Sequence, residues 1–176
     1  MAVRRILTYG DPLLERRSAP VAGVDEKVRE LVADLLETMD AERGIGLAAP
    51  QIGALRRVIV VHPRPEEEGS GRRLALINPE IVAYAGSCVF EEGCLSVPGT
   101  YAEVRRPERV RARYFDTGGE ERIEEFDGLM ARVVQHEIDH LDGVLFVERL
   151  APMRLALLKR KLRGGRAPAA GGPPLR

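Results

Sequence analysis

The chain predicts an α+β fold, on two observations. Apolar residues recur at helical spacing early in the chain and again near its end, with several strand-like runs between them. The order of these elements is not the strand–helix alternation that builds parallel βαβ units. At 176 residues the chain suits one domain with a real core. We expect that domain to be residues 1–163. Residues 164–176, rich in Gly, Pro and Ala, bury too little to order themselves and read as a flexible tail.

Taken in order, Val28, Leu31, Val32, Leu35, Leu36 and Met39 follow i, i+3, i+4, i+7, i+8, i+11, an amphipathic helix with Asp25 as N-cap. Arg57-Val58-Ile59-Val60-Val61 reads as a buried strand, and Glu66-Glu67-Glu68-Gly69-Ser70-Gly71 as an exposed polar loop. Further strands are expected over 74–78 and 81–90. Val110, Ala112 and Tyr114 alternate with Arg111, Arg113 and Phe115 as a half-buried strand would. Gly118-Gly119 marks a tight turn toward a strand over 122–126. A second helix starts after Asp127 and stops at Gly143. A short strand over 144–147 and a last helix over 152–162 follow.

Lys plus Arg and Asp plus Glu both number 27, so the formal net charge is zero. No global electrostatic case for DNA or a membrane surface arises. The N-terminus has no apolar h-region and no apolar run approaches ~20 residues, so a cytoplasmic protein is the expectation. Two cysteines, Cys88 and Cys94, are too few for a disulfide framework.

Chemistry concentrates in His136-Glu137-Ile138-Asp139-His140, which holds two of the chain's three histidines. On a helix, i and i+4 share a face, so two imidazoles aim at one point. Two neutral nitrogens beside a carboxylate are the parts needed to hold a metal and activate a water. Leu129 and Val133 share that face and give the space an apolar wall. A catalytic site needs a third protein ligand, and no histidine follows His140. Glu148 is possible on type but lies close in sequence. Cys94, in Glu91-Glu92-Gly93-Cys94-Leu95-Ser96, is the better candidate, although read alone it is better taken as a small buried residue. Gly93 beside it permits close backbone approach. If Cys88 faced the same side, a closed Cys/Cys/His/His structural site would remain open. His62 follows a strand and has no evident role. A third segment, Gly44-Ile45-Gly46-Leu47-Ala48-Ala49-Pro50-Gln51, is a run of small residues ending in an amide; small side chains let a peptide backbone lie close.

These segments, in this order, resemble the three motifs of the peptide deformylases: residues 44–51, then Glu92-Gly93-Cys94-Leu95-Ser96, then Gln135-His136-Glu137-Ile138-Asp139-His140-Leu141. The resemblance extends from Ile6 to the helix near Pro152. It implies antiparallel sheets surrounding a central metal-bearing helix, with a C-terminal helix. It implies hydrolytic removal of formyl from N-terminal formylmethionine of new polypeptides. It implies Cys94, His136 and His140 as metal ligands, Glu137 as acid/base, and Gln51 with the Leu95 N–H as oxyanion donors. Ile45, Gly46, Gly93, Leu129 and Val133, with Phe90, would bind substrate. The ion expected in cells is ferrous iron, with zinc or nickel as alternatives. Arg154, Lys159, Arg160, Lys161, Arg163 and Arg166 make the last helix and its exit basic, an ordinary solvated face or a contact for ribosomal RNA. A monomer is expected.

Overall fold

The computed structural model describes residues 2–64 and 71–163; the expected tail 164–176 and most of the acidic loop lie outside them. The first helix, α1, runs Glu26–Ala41, and the Asp25 carboxylate accepts the Val28 N–H at 2.9 Å, capping it as expected. Strands β1 (Gly46–Ala48), β2 (Val58–Val61), β3 (Leu74–Ala85), β4 (Cys88–Gly93), β5 (Tyr101–Arg106), β6 (Arg109–Phe115) and β7 (Glu121–Phe126) follow. Helices α2 (Gly128–Leu141) and α3 (Pro152–Arg163) complete the described residues. All strand pairs are antiparallel, in a five-stranded sheet of order β1-β2-β3-β6-β7 and a β4-β5 ribbon. The α+β class is as expected.

The sheet separates two cores, and β2 shows why its sequence is an unbroken apolar run. Successive strand residues point to opposite faces. Val58 and Val60 pack with Val28, Val32, Leu35 and Met39 of α1, whereas Ile59 and Val61 pack with Ala131, Val133, Val134 and Ile138 of α2. With a helix on each face, both sets are buried, and each such side chain contributes about 1.5–3 kcal/mol on leaving water. At β6, only one face is covered. Val110, Ala112 and Tyr114 join the α2 core while Arg109, Arg111 and Arg113 are exposed. A third cluster joins Val97, Val104, Leu145, Phe146 and Val147 to Leu155, Leu158 and Leu162 of α3.

Two expectations need correction. The strands expected over 74–78 and 81–90 divide elsewhere: β3 continues to Ala85, and the chain turns at Gly86 (φ 70°) into β4. The break read at Asn78 is a bulge, where Asn78 takes φ 52° and its side-chain amide bonds both the N–H and the C=O of Val21 at 2.8 Å. Residues 144–147 are not a strand. Leu145, Phe146 and Val147 are consecutively buried, the first as N-cap of a 3₁₀ turn spanning Phe146–Arg149, whose Glu148 carboxylate accepts the Leu145 N–H at 3.3 Å. Helix α2 starts after Asp127 as expected, and Asp127 occupies its N-cap without making a side-chain capping bond.

Candidate metal centre

Helix α2 lies against β1, β2 and β6 and is terminated by a Schellman motif. Gly143, at φ 76°, donates to His140 C=O at 3.2 Å, and Val144 donates to Asp139 C=O at 2.9 Å. The helix therefore stays regular through His140. His136 and His140 stand on one face with ring centroids 5.0 Å apart. Cys94, immediately after β4, places its Sγ 3.2 Å from His140 Nε2. One ligand atom from each of Cys94, His136 and His140 lies within 4.8 Å of the others, a triangle that one ion with bonds of about 2.0–2.3 Å can span.

The surrounding groups suit such an ion. His136 Nδ1 lies 3.0 Å from Glu92 Oε2. A carboxylate can only accept, so Nδ1 carries the proton and Nε2 is left as the ligating lone pair. Burial tends to raise the Glu92 pKa, but hydrogen bonds from Arg106 and His136 prevail and hold it at about 2. Burial holds His140 well below its ordinary value; burial acts the same way on His136, but its bonds to Cys94 and Glu92 prevail and hold it well above, so an ion bound at His136 Nε2 would take the place of a proton there. Two buried atoms here have no partner among the described residues, His140 Nδ1 and Glu137 Oε2. Burial pushes the Glu137 carboxyl up to about 7, where it can both take and give a proton near neutrality.

Gln51 is aimed by its own backbone. It sits in the 3₁₀ turn Ala49–Ile52, and its Oε1 accepts the Ala48 N–H at 2.8 Å. That leaves Nε2 toward the centre, 3.6 Å from Cys94 Sγ and 3.1 Å from Ser96 Oγ. The Leu95 N–H has no backbone acceptor among the described residues. Gly46 is required by Glu137 itself. A Cβ there would lie 2.5 Å from Glu137 Oε1 and 2.6 Å from Val133 Cγ1. Ile45, Leu129 and Val133 belong to one apolar cluster beside these groups. Gly93 makes room for the Tyr101 ring, 2.7 Å from its would-be Cβ. Phe90 is half-exposed under the Arg132 guanidinium, 3.2 Å from the ring centroid.

Cys88 is elsewhere. It opens β4, six residues or about 20 Å of strand from Cys94, and its thiol contacts Arg106 C=O at 3.5 Å. His62 extends the β1–β2 ladder through its N–H to Ile45 C=O at 2.7 Å. The residues that sequence reading passed over are Glu92, Arg106, Asp139, Arg149 and Ser96. Arg106 is 2% exposed and forks onto Glu92 at 2.5 and 2.9 Å, with its third nitrogen 2.8 Å from Asp139 Oδ2. Asp139 is also held by both ends of the Arg149 fork. The available signal was strand alternation, which puts Arg106 on the same face as Val104.

A family model described as polypeptide deformylase matches residues 3–156. A peptide deformylase of Thermomicrobium roseum is 54% identical over 85% of this chain and 87% of its own. Among solved structures, the peptide deformylase of Ehrlichia chaffeensis in complex with actinonin superposes with a TM-score of 0.88 at 38% identity, covering 96% of this chain and 100% of that one. A Met-Ala-Ser-bound class I type b peptide deformylase of Acinetobacter baumannii gives a TM-score of 0.81 at 37% identity, over 85% and 99% of the two chains. The matched span contains Gln51, Cys94 and the whole of α2, so every group at this centre lies inside it, and the chain belongs to the polypeptide deformylase family.

Proposed function

We propose that this centre hydrolyses the formyl amide at the N-terminal methionine of newly made polypeptides and releases formate. The observation that carries the reading is Glu137. Its carboxyl is buried and unpartnered at Oε2, with a pKa near 7, beside a Cys/His/His group and within the same small space as an aimed Gln51 amide.

Cys94, His136 and His140 would hold one divalent ion, which when bound supplies Lewis acidity toward water and the formyl oxygen. Glu137 takes the proton of the attacking water. As the formyl carbon becomes tetrahedral, Gln51 Nε2 and the Leu95 N–H donate to the developing oxyanion. Glu137 then protonates the departing amine. Ferrous iron, which the family resemblance implies, is our assignment for the ion in cells, and the mixed thiolate and imidazole set would also accept zinc or nickel.

Ile45, Leu129 and Val133 offer an apolar wall for the methionine side chain, and because a formyl carbon bears only hydrogen a tight site would exclude the extra methyl of an acetyl group. Strand β1 lies at the sheet edge, so an extended peptide can add along it through backbone bonds and be read weakly beyond its first residue. We further propose a cytoplasmic monomer that contacts the ribosome through exposed basic residues of α3 such as Arg154 and Arg160, with no DNA partner. No described helix is long and apolar enough to cross a membrane. Charge reversal on α3 should weaken ribosome binding in a salt-dependent manner.

The deciding assay is formate release from formyl-Met-Ala-Ser by protein loaded anaerobically with ferrous iron, beside acetyl-Met-Ala-Ser. Formate without acetate is expected. Cleavage of unformylated peptides would instead favour a general metallopeptidase.

A further inference from the structure

The 3₁₀ turn Phe146–Arg149 meets the metal-bearing helix at two points. The Phe146 ring, 1% exposed, stacks on the His136 imidazole with centroids 5.9 Å apart and planes inclined by 28°. Arg149 grips the Asp139 carboxylate, Nε at 2.5 Å from Oδ2 and the second nitrogen on Oδ1. The two contacts share a geometric cause. A 3₁₀ helix has three residues per turn, so Phe146 and Arg149 project from one side. On α2, His136 and Asp139 are also three apart and neighbours on one face. An i,i+3 pair on the turn therefore seats on an i,i+3 pair on the helix. The turn is anchored in the core as well, because Leu145, Phe146 and Val147 all pack in the cluster that holds Leu155, Leu158 and Leu162 of α3.

Charge order continues the contact to the histidine. From Arg149 the chain of ion pairs runs Asp139, Arg106, Glu92, alternating in sign, and Glu92 ends on His136 Nδ1. Arg106 divides its donors between Asp139 and Glu92. Without Arg149, Asp139 is held by Arg106 alone and no longer fixes that guanidinium in place, and without the Asp139 charge Arg106 loses its second anchor outright. Glu92 then loosens its hold on the His136 ring.

We propose that Phe146 and Arg149 are positioning residues of the metal centre, a clamp that fixes the His136 ring from its face and, through Asp139, Arg106 and Glu92, from its Nδ1 edge. The inference rests on the metal-centre reading above and reaches beyond it, since neither residue is in contact with the ion or the reacting atoms.

The test uses the full chain loaded with cobalt(II) in place of the resident ion, read by its visible spectrum and by retention of the metal against a chelator. Arg149→Ala is expected to weaken retention about tenfold, at the lower end of the 10–100-fold seen on losing groups that orient metal-bound histidines, and to alter the cobalt spectrum. Asp139→Asn, equal in size, is expected to do the same, while Arg149→Lys should recover part of the loss by restoring charge without the fork. Arg149 is partly exposed, so its removal should leave the protein folded. Val28→Ala, in the α1 core on the far side of the sheet, supplies a destabilised control that should keep wild-type retention and spectrum. Wild-type retention and spectrum in both Arg149→Ala and Asp139→Asn overturn the clamp. So does a loss in Val28→Ala matching theirs, because the effect is then general destabilisation. Failure of the wild-type chain to take up cobalt at all overturns the metal reading itself and the clamp with it.

Discussion

Gly46→Ala is the sharpest perturbation of this centre, because one methyl group meets two side chains of the same helix. The new Cβ would lie 2.5 Å from Glu137 Oε1 and 2.6 Å from Val133 Cγ1, against an ordinary contact beginning at 3.4 Å. The shortfall at the carboxylate is about 0.9 Å. Backbone movement is resisted at both ends, since β1 is laddered to β2 and α2 is packed on three strands. The Glu137 side chain is therefore the part that yields. Overpacking of this kind costs about 1–3 kcal/mol, and at roughly 2–4 °C per kcal/mol for a chain this size the Tm should fall by about 2–12 °C. A misplacement near 1 Å costs on the order of 10²-fold in rate. The assay is formate release from formyl-Met-Ala-Ser alongside a melting curve, with Gly23→Ala as the control, since its Cβ meets nothing within 4 Å. A Gly46→Ala protein with wild-type Tm and activity within threefold would refute the placement of the Glu137 carboxylate against β1.

Glu137→Ala should keep one bound metal and lose about 10²–10⁴-fold in turnover; metal loss in that variant would assign Glu137 a structural role instead. Cys88→Ser should leave the metal content measured by elemental analysis unchanged, whereas reduced content would restore the closed four-ligand site. Arg43 occupies the C′ position of α1 at φ 55°, with Gly44 N–H on Met39 C=O at 2.8 Å. Replacing it with glycine relieves about 1–2 kcal/mol of left-handed strain and costs about 0.4–1 kcal/mol in unfolded-chain entropy, so Arg43→Gly should raise the Tm by a few degrees. Asp34 accepts the Ala2 N–H at 2.8 Å and Arg4 Nε at 2.9 Å, and although burial opposes ionisation these bonds hold its pKa below the ordinary value. A depressed folded pKa stabilises above the unfolded value, so Asp34→Asn should cost about 1.5–3 kcal/mol at neutral pH. The difference from wild type should shrink as pH falls through about 4 and below; a pH-independent difference would mean that the carboxylate charge is not what matters.

Much of the fold was legible because its periodicities are local. The spacing of Val28, Val32, Leu35 and Met39 gives α1 and its buried face, and the alternation in β6 gives the half-covered sheet. The strand expected over 144–147 failed for a reason local reading cannot supply. Three consecutive apolar residues suit a strand, but here they fill a pocket beneath α3, and their backbone closes into a 3₁₀ turn. The break expected near Asn78 was a true irregularity given the wrong consequence. Its side chain satisfies Val21 across the fold, which lets β3 bulge and continue.

At the centre, the candidate ligands were legible and the side chains around them were not, and the difference is one of range. His136 and His140 announce themselves because a helix converts a spacing of four into a shared face. Glu92 and Arg106 each belong to a doublet of like charge, Glu91-Glu92 and Arg105-Arg106. Strand alternation says that one member of each doublet turns inward, and the structure buries Glu92 and Arg106 while Glu91 and Arg105 stay exposed. It does not say that those two meet. In the β4–β5 register, Glu92 faces Ala102 and Arg106 faces Cys88, so pairing by position would miss the contact. The guanidinium reaches along the ribbon past Phe90 and Val104 to find its carboxylate, drawn by two buried acids, Glu92 and Asp139, that neither strand could neutralise alone. A side chain this long is placed by the charge it must satisfy, which is a property of the assembled interior and not of any segment of sequence.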